Sequence, residues 1–149
     1  MTGPEALYQE LIFQHYRNSR HRGELEAADV EVTTHNPVCG DKITLRLRVR
    51  DGVVEAARFS GQGCAISQAS ASMMAQRLEG KNFEQIHILS RHFTGLLHGD
   101  PEAATNPALG DLRALSGVAK LPARVRCALL AWDALTEAET TLRNRDQHP

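Results

Sequence analysis

The sequence predicts an α+β fold: a small antiparallel sheet of about three strands, helices packed on one face, and a long C-terminal helix. Three observations carry this. Ile43, Leu45, Leu47 and Val49 alternate with Thr44, Arg46, Arg48 and Arg50, the period of a strand with one wet face. Asp51-Gly52, a tight-turn dipeptide, then leads into a second extended run, which makes a hairpin. On either side of the hairpin lie apolar residues at helical spacing, Leu7, Leu11, Ile12 and Tyr16 before it and the run ARVRCALLAWDALTEAETTLRN after it.

In chain order, Pro4 suits a first helical turn, so the opening helix runs from Pro4 to about Asn18 and is ended by NSRHRG. A strand over Val30 to Thr33 is placed to pair with the hairpin, whose second arm spans Val53 to Phe59. After GQG the run CAISQASASMMAQRLEG is rich in small, helix-compatible residues, with Gly80 as its stop. A further helix covers Phe83 to Leu97 and is closed by His98-Gly99. The segment from about 99 to 120 is rich in Gly, Pro, Asp and Asn and reads as a loop with one short helical turn at Leu112 to Leu115. The final helix gives way to a frayed polar tail over about 143–149. Met73 and Met74 read as core or contact surface, and Trp132 as core packing. The 149 residues contain no repeat and no linker, which predicts a single domain.

Composition narrows the function. A net charge of −1 argues against nucleic acid, whose phosphates call for a clustered basic field. The basic group Arg17, Arg20, His21, Arg22 and Lys42 reads as solvated surface, or as one side of a docking face for an acidic partner. The N-terminus lacks the charged start and apolar stretch of a signal peptide. Apolar runs such as CALLAW fall far short of the roughly 20 residues a bilayer span needs. A cytoplasmic protein away from membranes is the expectation. Three widely spaced cysteines do not make a secreted disulfide framework.

Those cysteines sit at element junctions. Cys39 and Asp41, in NPVCGD, precede the first hairpin strand, where residues two apart in an extended segment face the same side. Cys64 follows SGQG at a helix start, where free N–H groups favour a thiolate. Cys127 lies near the start of the last helix, with Arg124 one turn earlier. Three thiols and a carboxylate suit tetrahedral zinc or iron, but the spacing matches no finger template. On the residues alone, a metal site and three buried thiols both stand open. His35 reads as a surface loop residue, the other histidines are scattered, and there is no GxGxxG, P-loop or Ser/His/Asp set.

Four segments together carry a resemblance: LYQELIFQHYRNSRHRG, NPVCGD, GQGCAISQASASMM and LPARVRCALLAWDAL are similar to the IscU/NifU-N family of iron–sulfur cluster assembly proteins. Two departures point to its SufU-type members. Arg126 stands where IscU-type scaffolds carry histidine, and Leu121-Pro122-Ala123-Arg124-Val125 replaces their Leu-Pro-Pro-Val-Lys. The segment from about 99 to 120 also resembles the SufU-type insertion. The resemblance implies Zn²⁺ held by Cys39, Asp41, Cys64 and Cys127. It implies a zinc-dependent sulfurtransferase that stimulates a SufS-like cysteine desulfurase, takes its persulfide sulfur on Cys39, and passes that sulfur to a downstream iron–sulfur scaffold. Arg124 is then a partner for Asp41 once the carboxylate moves, or an offset to the charge of the site. The alternative is a scaffold on which the same four residues hold an iron–sulfur cluster, and a third reading is a metal that only braces the fold.

Overall fold

A computed structural model describes the backbone of residues 4–147 and the side chains of 7–145. Helix α1 (Pro4–Arg17) precedes strands β1 (Val30–Asn36), β2 (Asp41–Arg50) and β3 (Val53–Gln62). Then come α2 (Ala65–Leu78), α3 (Phe83–Leu97), the short α4 (Pro101–Ala104), a 3₁₀ segment (Pro107–Lys120) and α5 (Pro122–Gln147). The sheet is antiparallel in the order β1-β2-β3, with Val30 opposite Leu47 and Asn36 opposite Asp41. The turn at Asp51-Gly52 takes positive φ at both residues, which matches the twist of a two-residue hairpin. This is the α+β class the sequence predicts, down to the three strands and the long last helix.

Ile43, Leu45, Leu47, Ala57 and Phe59 are fully buried on the inner face of the sheet, in one core with α2 and α5. Met73 and Met74 belong to that core, and Trp132 stacks on Phe93 with ring centroids 4.7 Å apart. Ser70 joins the two central helices: its hydroxyl donates to the Ala128 carbonyl at 2.6 Å and accepts the Trp132 indole N–H at 3.2 Å. Burying Trp132 therefore leaves no indole N–H unpaired.

Five expectations need correction. The outer face of β2 is only partly wet, because Thr44 and Arg46 are each 8% exposed. Arg46 is covered by the chain between α1 and β1: its guanidinium donates to Glu31 at 2.8 Å, to the Gly23 carbonyl at 3.1 Å and to Ser60 at 3.0 Å. Within the basic group, His21 is buried and bonded to Glu79 at 3.0 Å, and Arg22 lies over the Phe59 ring at 5.2 Å. His35 is exposed as expected but lies in β1, not in a loop.

The stretch after Gly99 is helical through most of its length, where a loop with a single turn was expected. Leu109, Leu112, Leu115 and Val118 recur every three residues and all are buried, the repeat of a 3₁₀ helix with one apolar edge. The last helix runs on through Gln147 where fraying was expected. Arg143 pairs with Glu139 one turn earlier, and Arg145 reaches the Asp29 carbonyl. The remainder of the expected tail, His148 and Pro149, lies outside the described residues. Among the described residues no helix is long and apolar enough to cross a membrane.

Glu79 closes α2 at an end where the helix dipole disfavours a carboxylate. Three donors offset that: the Ala57 amide, Arg58 and His21, each at 3.0 Å. Burial pushes the Glu79 carboxyl up, but these partners outweigh it and hold its pKa below the ordinary 4.5. Its ionised form therefore contributes stability in full above about pH 4.5, and that contribution is lost as pH falls through the depressed value. Glu79→Gln should destabilise the fold by about 1–3 kcal/mol at neutral pH. Urea unfolding of both proteins should show this gap narrowing as the pH falls into the acid range.

Candidate metal centre

The site forms where three chain segments end together. At the first, Asn36 closes β1 and the chain reverses through Pro37–Gly40 before β2 begins at Asp41. The Asn36 carbonyl accepts the Gly40 N–H at 2.8 Å, its side-chain Oδ1 accepts the Val38 N–H at 3.3 Å, and Gly40 takes φ +70°. This is a side-chain-braced turn of the kind asparagine favours. Cys39 is thus exposed on a tight turn, and its approach to Asp41 comes from the reversal of the chain, where an extended segment was expected.

At the second junction β3 hands over to α2 through Gly63 and Cys64. Asp41, 1% exposed, accepts the Cys64 N–H on Oδ1 at 2.8 Å. Gly63 lies directly over that carboxylate. A Cβ there would fall 2.0 Å from Asp41 Oδ1 and 2.9 Å from its Cα, at a backbone φ of +135°, so both space and conformation demand glycine. Cys64 is the N-cap of α2, and its Sγ accepts the Ser67 N–H at 3.5 Å. A thiolate here meets the positive end of the helix dipole.

The third segment is the first turns of α5, where Cys127 is fully buried. Its Sγ lies 3.6 Å from Cys39 Sγ and 3.8 Å from the Asn36 amide nitrogen. Donor atoms of Cys39, Asp41 and Cys127 all lie within 4.8 Å of one another. Cys64 falls outside that group of three but joins it through Asp41, its Sγ being 3.9 Å from Oδ2. The four residues singled out in the sequence are therefore brought together.

Cys39, Asp41 and Cys127 stand close enough together to share a zinc ion, and Cys64 approaches them through Asp41. Zn–S bonds of about 2.3 Å in a tetrahedron put sulfurs about 3.8 Å apart, and Cys39 and Cys127 are 3.6 Å apart. Asp41 has one oxygen tied to the Cys64 amide, which aims the other at the sulfurs. Burial pushes the Cys127 thiol well above its ordinary range, with the Asp41 carboxylate and Cys39 adding to the effect. A divalent cation reverses this, since it binds the thiolate and displaces the proton.

Arg124 is exposed one turn before Cys127. A bond to the Cys127 sulfur, then the charges of Cys64 and Cys127, hold its guanidinium all the more firmly protonated. Among the described residues it makes no ion pair with Asp41, and the charges that act on it are those of the site's sulfurs. Arg126 is exposed, and its charge acts on Asp133, where it opposes the rise that burial causes. A cavity of about 720 Å³ between α1 and the segment around Pro101–Leu121 is walled mainly by apolar side chains and includes none of the four donors. Sequence reasoning passed over Asn36, Gly63 and Ser67. The Asn-Pro pair was the available signal for a braced turn, whereas the carboxylate beneath Gly63 has no local signature.

Three antiparallel strands backed by helices, with three cysteines and an aspartate converging at their ends, define a small α+β protein with a candidate metal site. Comparison with known proteins gives the family. The chain belongs to the NifU-like N-terminal domain family, whose model matches residues 7–148, and so to a family of iron–sulfur cluster assembly proteins. It is 44% identical over 131 residues to the zinc-dependent sulfurtransferase SufU of Bacillus subtilis, covering 88% of each chain. It is 41% identical over 134 residues to the iron–sulfur cluster assembly scaffold protein IscU of Thermotoga maritima, covering 90% of this chain and 93% of that one. A solved structure from Fervidobacterium islandicum AW-1, described as a candidate iron–sulfur cluster assembly scaffold for the SUF system, superposes with a TM-score of 0.80 at 28% identity. It covers 91% of this chain and 98% of its own. The SufU-type resemblance read from the motifs agrees with these relatives.

Gly63→Ala should lower zinc affinity about tenfold or more, because the new methyl displaces the Asp41 carboxylate. Competition with a chromophoric chelator measures the loss, and an unchanged far-UV circular dichroism spectrum separates it from unfolding.

Proposed function

We propose that the chain is a cytoplasmic zinc-dependent sulfurtransferase of iron–sulfur cluster assembly. It takes sulfur from the persulfide of a SufS-like cysteine desulfurase, stimulates that enzyme by clearing its product, and passes the sulfur to a downstream iron–sulfur scaffold. The observation that supports this best is the inequality of the three sulfurs. Cys127 is buried and Cys64 partly buried, and each accepts an N–H. Cys39 is exposed, and among the described residues Cys127 Sγ is the only group bonded to its sulfur. The neighbouring Val38 is 91% exposed, so a protein-held persulfide can reach the turn without passing through a pocket.

Cys39, Asp41, Cys64 and Cys127 are the zinc ligands in this reading. The bound ion keeps the thiols deprotonated at neutral pH without redox chemistry of its own. The Cys39 thiolate attacks the outer sulfur of the desulfurase persulfide, and a new S–S bond forms at Cys39. The old S–S bond breaks, its electron pair leaves on the desulfurase cysteine, and that thiolate takes up a proton. Sulfur changes hands with no net oxidation. Arg124 offsets the negative charge gathered on the sulfurs during the exchange.

A scaffold reading uses the same four residues to carry an iron–sulfur cluster, and the relationship to the Thermotoga maritima protein favours it. Arg126 counts against it, since a guanidinium has no lone pair to offer a metal where IscU-type scaffolds place histidine.

After incubation with desulfurase and cysteine, mass spectrometry should find one added sulfur on Cys39. Cys39→Ala should abolish that addition and lower desulfurase stimulation at least about tenfold. Full stimulation by the variant would sink the relay role. Elemental analysis of the purified protein should find about one zinc per chain in a colourless solution, whereas a brown protein containing iron would favour the scaffold.

A further inference from the structure

Asn36 supplies none of the four donors, yet both ends of its side chain are engaged at the site. Its Oδ1 accepts the Val38 N–H at 3.3 Å, and its Nδ2 donates to Cys127 Sγ at 3.8 Å. Its main-chain carbonyl also accepts the Gly40 N–H at 2.8 Å. One residue therefore braces the turn that carries Cys39 and touches the buried sulfur on α5. The amide is suited to this because it pairs an acceptor with a donor on one short stem. Aspartate would keep only the acceptor, and serine or threonine could brace the turn but are too short to reach the sulfur.

An N–H donated to a thiolate draws charge from the sulfur and makes it a poorer nucleophile, while fixing its position as a ligand. Ser67 does this for Cys64 from the α2 backbone, and Asn36 does it for Cys127. Cys39 has no such donor among the described residues and rides on the turn that Asn36 braces.

We infer that Asn36 is a positioning residue that holds Cys127 as a stationary thiolate of the centre and leaves Cys39 as the sulfur free to react. This rests on the zinc sulfurtransferase reading and adds the residue that sorts the sulfurs into different roles.

Asn36→Ser and Asn36→Thr test it. Each hydroxyl can still accept the Val38 N–H, and threonine suits a strand end, so far-UV circular dichroism should match the parent. Cobalt(II) is the probe: its thiolate charge-transfer band reports directly on the sulfur lone pairs. Losing the donor should shift that band to longer wavelength in both variants, and zinc should transfer to a chromophoric chelator about tenfold faster. A residue that served only the turn would leave the band where it was. An unchanged band and unchanged release in both folded variants would overturn the inference. If sulfur never reaches Cys39 in the parent protein, the sulfurtransferase reading falls, while the cobalt band still decides whether Asn36 holds Cys127.

Discussion

The 2.8 Å bond from the Cys64 amide to the buried Asp41 carboxylate is the contact on which the arrangement of the site depends. Asp41 opens β2 and Cys64 opens α2, so this one bond fixes the start of a helix against the start of a strand. A buried carboxylate left without partners would be costly. Here it satisfies an N–H that a helix start leaves free. The same bond occupies one oxygen and turns the other toward the sulfurs. Gly63 permits the approach, since any side chain there would collide with Asp41.

The rest of the fold supplies the rigidity this contact needs. The inner face of the sheet and the facing sides of α2 and α5 form one apolar core, and Ser70 locks the two helices together through Ala128 and Trp132. Cys127 is buried on α5 and Cys64 is the N-cap of α2. Cys39 belongs to a turn outside the core. The division between two held sulfurs and one accessible sulfur thus follows from which elements are packed and which are not, before any chemistry is considered.

Much of this was legible in the chain. The alternation from Ile43 to Arg50 and the Asp51-Gly52 turn gave the hairpin, because a one-residue slip in register would expose the whole inner face. The four site residues were legible as motifs, though their convergence was not, since it depends on contacts between residues far apart in sequence. Arg46 looked solvated because nothing local reveals that the chain between α1 and β1 folds back over it. The segment after Gly99 was misread for a different reason. Its Gly, Pro and Asn residues suggested a loop, while the three-residue repeat of Leu109, Leu112, Leu115 and Val118 fits neither the α nor the β period that was sought. Arg124 was placed on the right turn of α5, one turn before Cys127, where the charges of the sulfurs act on it.

The four donors also have a topological consequence. With zinc bound as proposed, they would tie the hairpin and the start of α2 to α5, closing loops in the chain much as a disulfide does and restricting the unfolded state in the same way. The long closure is the one that reaches Cys127 on α5, and Asp41 and Cys64 maintain it without Cys39. Releasing Cys39 opens no closure that Asp41, its neighbour two residues on, does not still hold. In the proposed relay, the ligand that departs for chemistry is therefore the one whose loss leaves the cross-linking of the chain intact.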